Sequence, residues 1–169
     1  SLAAQSPSNH GPSRQGPKVG DPQAGGPWLD GGWHDWAHKE VSPNSDERPA
    51  GMAVELLVIH YISLPAGRFS GSAVADLFLN RLDLAAHESF ESLRGLKVSS
   101  HFFIRRDGRL MQFVGCDRRA WHAGQSQFDG RTGCNDFSIG IEMEGDGEHA
   151  FTKAQYARLA RLTEHLLAR

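Results

Sequence analysis

Apolar residues concentrate in a few short segments of the 169-residue chain, and their spacing predicts its secondary structure. The segment VELLVIHYISLP is almost wholly apolar from Val54 to Ile62, which is typical of a central strand that is buried on both faces. FSIGIEMEG alternates instead, so a strand would place Glu142 and Glu144 on one face. The opposite face would be apolar. Because acidic side chains rarely enter a core without a partner or a function, both glutamates are candidates for chemistry.

Other segments predict a hairpin and two helices. KVSSHFFIRRDGRLMQFVG indicates strands at 98–105 and 110–114, joined by a turn in which an Asp-Gly pair supplies positive φ. GSAVADLFLNRLD has apolar residues at helical spacing, and a Gly-rich loop is predicted at 123–133. FTKAQYARLARLTEHLLAR predicts an amphipathic helix with Thr152 as its N-cap. The apolar stripe of this last helix is predicted to contain Tyr156, Leu159, Leu162, Leu166 and Leu167.

The amino-terminal part of the chain differs in composition from the rest. Residues 1–27 are rich in Gly, Pro, Ser and Gln and have few aliphatic side chains, so we expect a flexible tail. Three tryptophans follow between residues 28 and 36, where we expect a short helix or an irregular wrap over the domain. Residues 28–169 are long enough to form one domain with a buried core.

Charge and cysteine content limit the classes of partner. The formal net charge is −2, which favours neither a nucleic acid nor an anionic membrane surface as a partner. No apolar run is long enough to span a bilayer, and the first residues do not resemble a signal peptide. The two cysteines, Cys116 and Cys134, form no C-x-x-C pair and fit a reducing compartment. We therefore expect a cytoplasmic monomer.

Three histidines are candidates for chemistry. A histidine inside an apolar strand, such as His60, is more often a satisfied core residue than a ligand, and the same alternative applies to His101. His122 lies between Trp121 and Gly124 in AWHAG, a composition that suits the wall of a pocket. The chain contains no H-E-x-x-H, G-x-S-x-G or G-x-G-x-x-G motif. Histidines and glutamates at strand ends are compatible with metal-assisted hydrolysis without establishing it.

Four segments, in this order, resemble the AmpD-type N-acetylmuramoyl-L-alanine amidases: LLVIHYISLPAGRFSG, KVSSHFFIRRDGRLMQFV, DRRAWHAG and CNDFSIGIEMEG. This zinc amidase superfamily includes phage-lysozyme amidases and peptidoglycan recognition proteins. The resemblance covers about Trp28 to Arg169 and implies an α/β fold, with a central mixed β-sheet flanked by helices. It also implies one catalytic zinc and hydrolysis of the amide between muramic acid, ordinary or 1,6-anhydro, and L-alanine during cell-wall recycling.

The resemblance also implies roles for individual residues. His60 corresponds to the first zinc ligand, which reverses its interpretation as a core residue, and Glu142 corresponds to the general base. Trp121 and His122 correspond to residues that line the muramyl pocket. Glu144 is then expected to support the site or lie at its rim.

Two basic positions bear on recognition of the stem peptide. Lys97 stands where close relatives have a cationic residue that meets a substrate carboxylate. At a second position, where close relatives have an arginine with the same role, this chain has Gly133. Arg131 is close enough in sequence to substitute for that arginine.

The family's other zinc ligands lie beyond the last helix, so we expect them beyond Arg169, and we expect this chain to lack that carboxyl-terminal segment. Because a catalytic zinc normally has three protein ligands, an alternative is a non-catalytic module that binds muropeptides without cleaving them.

Overall fold

The computed structural model describes residues 26–169. Residues 1–25, most of the predicted tail, lie outside the described residues. The strands are β1 (Trp28–Leu29), β2 (Trp33–His34), β3 (His38–Lys39), β4 (Ser45–Glu47), β5 (Leu56–Ile62), β6 (Phe102–Ile104), β7 (Leu110–Gln112), β8 (Arg118–Ala120), β9 (Gln127–Phe128), β10 (Arg131–Thr132) and β11 (Ser138–Glu144). The helices are α1 (Ala73–Phe78) and α2 (Lys153–Leu167), with 3-10 turns at Leu84–Ala86, Glu88–Leu93 and Cys134–Phe137.

A five-stranded mixed sheet forms the centre of the fold, in the order β3-β7-β6-β11-β5. Strand β11 runs parallel to both β5 and β6, and β6 and β7 form the predicted antiparallel hairpin. One face of the sheet packs against α1 through Phe103 and Met111, and the other packs against α2 through residues such as Ile141. The predicted α/β class is therefore confirmed.

The apolar strand β5 corrects the prediction of a central strand buried on both faces. Among residues 26–169 it pairs with β11 alone, so it is an edge strand. Ile59 and Tyr61 retain 46% and 57% of their accessible surface. An apolar run indicates which residues favour burial, but it does not determine whether a neighbouring element covers them.

The last helix confirms the predicted N-cap but not the whole predicted stripe. The Thr152 hydroxyl accepts a hydrogen bond from Gln155 N, and the Gln155 side chain accepts one from Thr152 N, which completes a capping box. Tyr156 and Leu167 are exposed, contrary to the prediction. Gln155 is buried in their place, because its amide donates to the carbonyl oxygens of Ile104 and Glu144.

Replacing the helix cap tests how strongly α2 is attached to the sheet. Thr152 Oγ1 also donates to Arg106 O at 2.6 Å, so Thr152→Ala removes two hydrogen bonds. We expect the free energy of unfolding to fall by about 1–2 kcal/mol in chemical denaturation. Thr152→Ser keeps the hydroxyl and is expected to lose less than about half of that. Equal losses in the two variants would show that the cap is not the cause.

The segment before β5 wraps over the sheet in short extended pieces, which agrees with the expected irregular wrap. Strands β1 and β2 form a small hairpin, and β4 pairs with β8 in a separate two-stranded ribbon. No helix within residues 26–169 is both long and apolar enough to cross a membrane.

Candidate active site

Strands β5 and β11 place His60 and Glu142 side by side. Their parallel register pairs Glu142 with His60, and on its other side Glu142 is paired with Phe103 of β6. Because paired residues of neighbouring strands share a face, both side chains project on the same side of the sheet. The predicted alternation along β11 thus brings a carboxyl group and an imidazole together.

His122 joins this pair from the loop after β8. Its Nδ1 lies 2.9 Å from His60 Nε2, and its Nε2 lies 3.0 Å from the hydroxyl of Ser138. Asn135 Oδ1 accepts hydrogen bonds from the main-chain nitrogens of His122 and Ala123, which fixes the loop. Sequence reasoning did not find Ser138 or Asn135, because neither belongs to a recognisable catalytic pattern.

Gly140 provides the space for the His122 ring. A Cβ added at Gly140 would lie 2.4 Å from His122 Cγ and 2.7 Å from its Nδ1, closer than atoms can approach. The glycine in the middle of β11 is therefore required by the close approach of an aromatic ring to the backbone.

Replacing Gly140 tests whether this placement of His122 matters. We expect Gly140→Ala to displace the His122 ring and break its contact with His60. The kcat/KM of the amide hydrolysis that the family resemblance implies is then expected to fall by roughly tenfold to a hundredfold. Gly71→Ala is the matched control, because Gly71 has no atom within 4 Å of an added Cβ. A wild-type rate for Gly140→Ala in a steady-state assay would contradict the role given to His122.

Burial keeps the histidines of the site neutral. It lowers the pKa of His122 to about 3, with a smaller contribution from neighbouring His60, and it also lowers the pKa of His60. Neutral imidazole is the form that binds metals. His101, by contrast, is a satisfied core residue: its Nδ1 accepts from Gly140 N, and its Nε2 lies 2.9 Å from Arg118 O.

Glu142 is buried without compensation. Its Oε2 is the one side-chain oxygen or nitrogen, among residues 26–169, that is buried without a hydrogen-bond partner. Burial raises the pKa of the Glu142 carboxyl to about 8. A carboxyl group that titrates near neutral pH can accept a proton and return it, which is what a general base requires.

Glu144 occupies a different environment two residues further along the strand. Its carboxylate accepts hydrogen bonds from Arg105 Nη2 at 3.0 Å, Arg106 N at 2.9 Å and Ser70 N at 3.2 Å. All three contacts tie neighbouring loops to the end of β11. Glu144 is therefore a structural anchor, whereas no described residue forms a hydrogen bond with Oε2 of Glu142.

The other predicted site residues differ in how they relate to this cluster. Trp121 directly precedes His122, and its indole Nε1 donates to Asp46 Oδ1 at 3.2 Å. Lys97 is exposed and lines a groove of about 280 Å³ beside α1, with no ion pair to another described residue. Arg131 pairs with Glu55 and stacks 3.8 Å from the Phe137 ring centre, so its contacts do not include the histidines.

A zinc ion requires more ligands than this part of the chain supplies. Within residues 26–169, no group of three or more His, Cys, Asp or Glu side chains could hold a metal ion. His60 and His122 contact each other, and Glu142 is the nearest carboxyl group on the strand beside His60. These residues do not fit a complete three-ligand zinc site.

Comparison with known proteins identifies the class. Residues 50–169 match the family model described as N-acetylmuramoyl-L-alanine amidase. The chain therefore belongs to this family of hydrolases.

Individual relatives are consistent with this assignment. The chain is 50% identical over 131 residues to the 1,6-anhydro-N-acetylmuramyl-L-alanine amidase AmpD of Escherichia coli K12, which covers 78% of this chain and 72% of that protein. It is 49% identical over 126 residues to AmpD of Haemophilus influenzae, covering 75% and 68%. A crystal structure of a selenomethionine AmpD derivative matches with a TM-score of 0.81 and 49% identity, covering 83% of this chain and 79% of that one.

Proposed function

We propose that the protein hydrolyses the amide bond between 1,6-anhydro-N-acetylmuramic acid and L-alanine in peptidoglycan fragments, as part of cell-wall recycling. The observation that carries the proposal is the uncompensated Glu142 carboxyl, whose pKa of about 8 suits a general base, beside His60. The curated relatives named above are 1,6-anhydro-N-acetylmuramyl-L-alanine amidases, which supports the anhydro form of the sugar. They are named as enzymes, so the binding-module alternative is not favoured.

Proton transfer at Glu142 accounts for the reaction. Ionised Glu142 accepts a proton from the attacking water as its oxygen bonds to the muramoyl carbonyl carbon. The same carboxyl group then gives that proton to the L-alanine nitrogen as the C–N bond breaks. The products are 1,6-anhydro-N-acetylmuramic acid, which has a free carboxyl group, and a peptide with a free amino terminus. Glu142 retains only 9% of its accessible surface, so the carboxyl group is largely shielded from bulk water.

We further propose that the activity depends on zinc, with His60 contributing one ligand and the remaining ligands coming from outside residues 26–169. The neutral imidazole of His60 supports this assignment. Lys97 and Arg131 are proposed to meet carboxylates of the stem peptide. A cytoplasmic location is also proposed, supported by two buried cysteines that are not joined in a disulfide.

A cleavage assay tests the proposed function. Anhydro-N-acetylmuramyl-L-alanyl-D-glutamate is incubated with the protein, before and after chelation and zinc repletion, and the products are separated by mass spectrometry. We expect a free L-alanyl peptide, no product after chelation and recovery with zinc. Binding of the ligand without cleavage in zinc would support the binding module instead. Absence of both binding and cleavage would contradict the proposed substrate.

A further inference from the structure

The orientation of Trp121 depends on a carboxylate from another part of the chain. Asp46 lies on β4, which pairs with β8 just before Trp121. Asp46 Oδ1 accepts the indole Nε1–H of Trp121 at 3.2 Å. The two residues are 75 positions apart in the sequence, so the β4–β8 ribbon brings them together.

Arg119 holds the Asp46 carboxylate in place. Its Nε lies 2.7 Å from Oδ1 and its Nη2 lies 2.6 Å from Oδ2, which is a two-pronged contact between cross-strand partners. The remaining guanidinium nitrogen, Nη1, donates a hydrogen bond to Asp136 Oδ1. Asp136 is adjacent to Asn135, which holds the His122 loop. Arg119 keeps the pKa of Asp46 below its usual value, so the carboxylate is ionised at neutral pH.

Trp121 is consequently fixed at its backbone and at its ring. Its main-chain nitrogen donates to Ser99 Oγ at 3.1 Å, and its carbonyl oxygen accepts from Ser99 N at 3.0 Å. A tryptophan side chain has a single hydrogen-bond donor, and Asp46 occupies it. Because Trp121 is half-buried and its N–H group is occupied, the remaining exposed part of the indole is ring surface, which a ligand can contact.

We propose that Asp46 is a positioning residue that fixes the Trp121 indole so that its face recognises the sugar part of the muramyl substrate. This inference rests on the proposed function. A side chain that is already immobile loses less entropy on binding, and ordering a free one costs about 0.5–1.5 kcal/mol. Loss of Asp46 thus weakens binding more than it slows the bond-breaking step.

Ligand affinity and an indole signal test the role separately. In a Glu142→Gln background, which prevents turnover, calorimetry measures the Kd of anhydro-N-acetylmuramyl-L-alanine. We expect Asp46→Ala to raise the Kd about tenfold and Asp46→Asn about threefold, because the asparagine oxygen still accepts from Trp121 but lacks the charge paired with Arg119. In the active protein, Asp46→Ala is expected to raise KM with kcat little changed.

The ¹H–¹⁵N signal of the Trp121 indole, assigned by Trp121→Phe, is expected to move upfield in Asp46→Ala. Asp107→Asn is the matched control, since Asp107 forms an exposed pair with Arg109. It should alter neither the Kd nor the signal. Thermal unfolding verifies that the variants fold, and if Asp46→Ala does not, Asp46→Asn carries the test.

Either of two outcomes overturns the role of Asp46 while leaving the proposed function intact. One is a Kd within twofold of the parent in a folded Asp46→Ala protein, and the other is an unmoved Trp121 signal. If the parent itself fails to bind the ligand, the proposed function fails and the recognition role with it. The indole signal then still shows whether Asp46 holds the ring, so the two failures are distinguishable.

Discussion

Glu142→Gln is expected to lower kcat/KM for the muramoyl-L-alanine amide by about 10² to 10⁴, because the variant has no group that can accept the proton of the attacking water. Glutamine is close to glutamate in shape, so the packing of β11 between β5 and β6 is retained. Steady-state assays with quantified product measure the loss. Glu148→Gln, a substitution of an exposed glutamate shortly after the same strand, is the matched control and should keep the wild-type rate.

The same substitution is expected to stabilise the fold. The folded protein keeps a proton on Glu142 up to about pH 8, whereas the unfolded chain loses it near the usual value of 4.5. Because the folded state binds more protons in this interval, the free energy of unfolding of the wild type falls as the pH rises. Glutamine removes that penalty. We expect Glu142→Gln to be about 2 kcal/mol more stable at pH 8, with the difference vanishing near pH 4.

Urea denaturation of both proteins across this pH range, with a chelator present, measures the difference. The two proteins share every histidine, so subtraction isolates the contribution of position 142. A glutamine variant that is inactive but no more stable at pH 8 would contradict the desolvated state assigned to Glu142. A glutamine variant that keeps its activity would show that Glu142 is not the general base.

Glu144→Gln is expected to act on stability. Arg105 and Glu144 form a buried ion pair, with 11% and 4% of their side-chain surfaces exposed. Removing one charge leaves the other buried and unpaired, which costs about 3–5 kcal/mol. The two backbone donors, Ser70 N and Arg106 N, also lose part of their acceptor. Denaturation midpoints measure the change.

Glu91→Gln provides the control for this second prediction. Glu91 pairs with Arg94 on the surface, where both side chains are 66% exposed. An exposed pair contributes little, so we expect a change below about 0.5 kcal/mol. If Glu144→Gln changed stability as little as Glu91→Gln, the anchoring role of Glu144 would be wrong.

The sequence predicted that Glu142 and Glu144 share a face, but it did not distinguish their environments. Alternation follows from strand geometry and is local, so it can be read from nine residues. The difference depends on which elements approach each position. Arg105 follows β6, and only the parallel register of β6 with β11 brings its guanidinium to Glu144. The family resemblance selected Glu142 as the base, and that assignment remains a prediction.

Non-local contacts also explain the two corrected predictions. Strand β5 is apolar throughout, yet it lies at the edge of the sheet, where Ile59 and Tyr61 remain exposed on one of its faces. Helical spacing placed Tyr156 in the apolar stripe of α2, but two carbonyl oxygens of the sheet favour Gln155 at the interface. Periodicity reports hydrophobicity and not the polar groups that a neighbouring element presents.

The residues that position the site, Asp46 and Gly140, are the hardest to predict from the sequence. Asp46 belongs to a three-residue polar strand without alternation, and nothing near it in sequence indicates a contact with Trp121. Gly140 was available as a signal, because a glycine in the middle of a strand marks a close backbone approach. Only the structure shows that the side chain packed against Gly140 is that of His122.

The most direct test of the central claim is the pH titration of the Glu142 carboxyl carbon by ¹³C NMR. The signal is assigned by its disappearance in Glu142→Gln, and the chelated protein is titrated from pH 4 to 9. We predict a midpoint near pH 8, because burial raises the pKa of this carboxyl group. A midpoint near 4.5 would show a solvated carboxylate and contradict the assignment of Glu142 as a base tuned by desolvation.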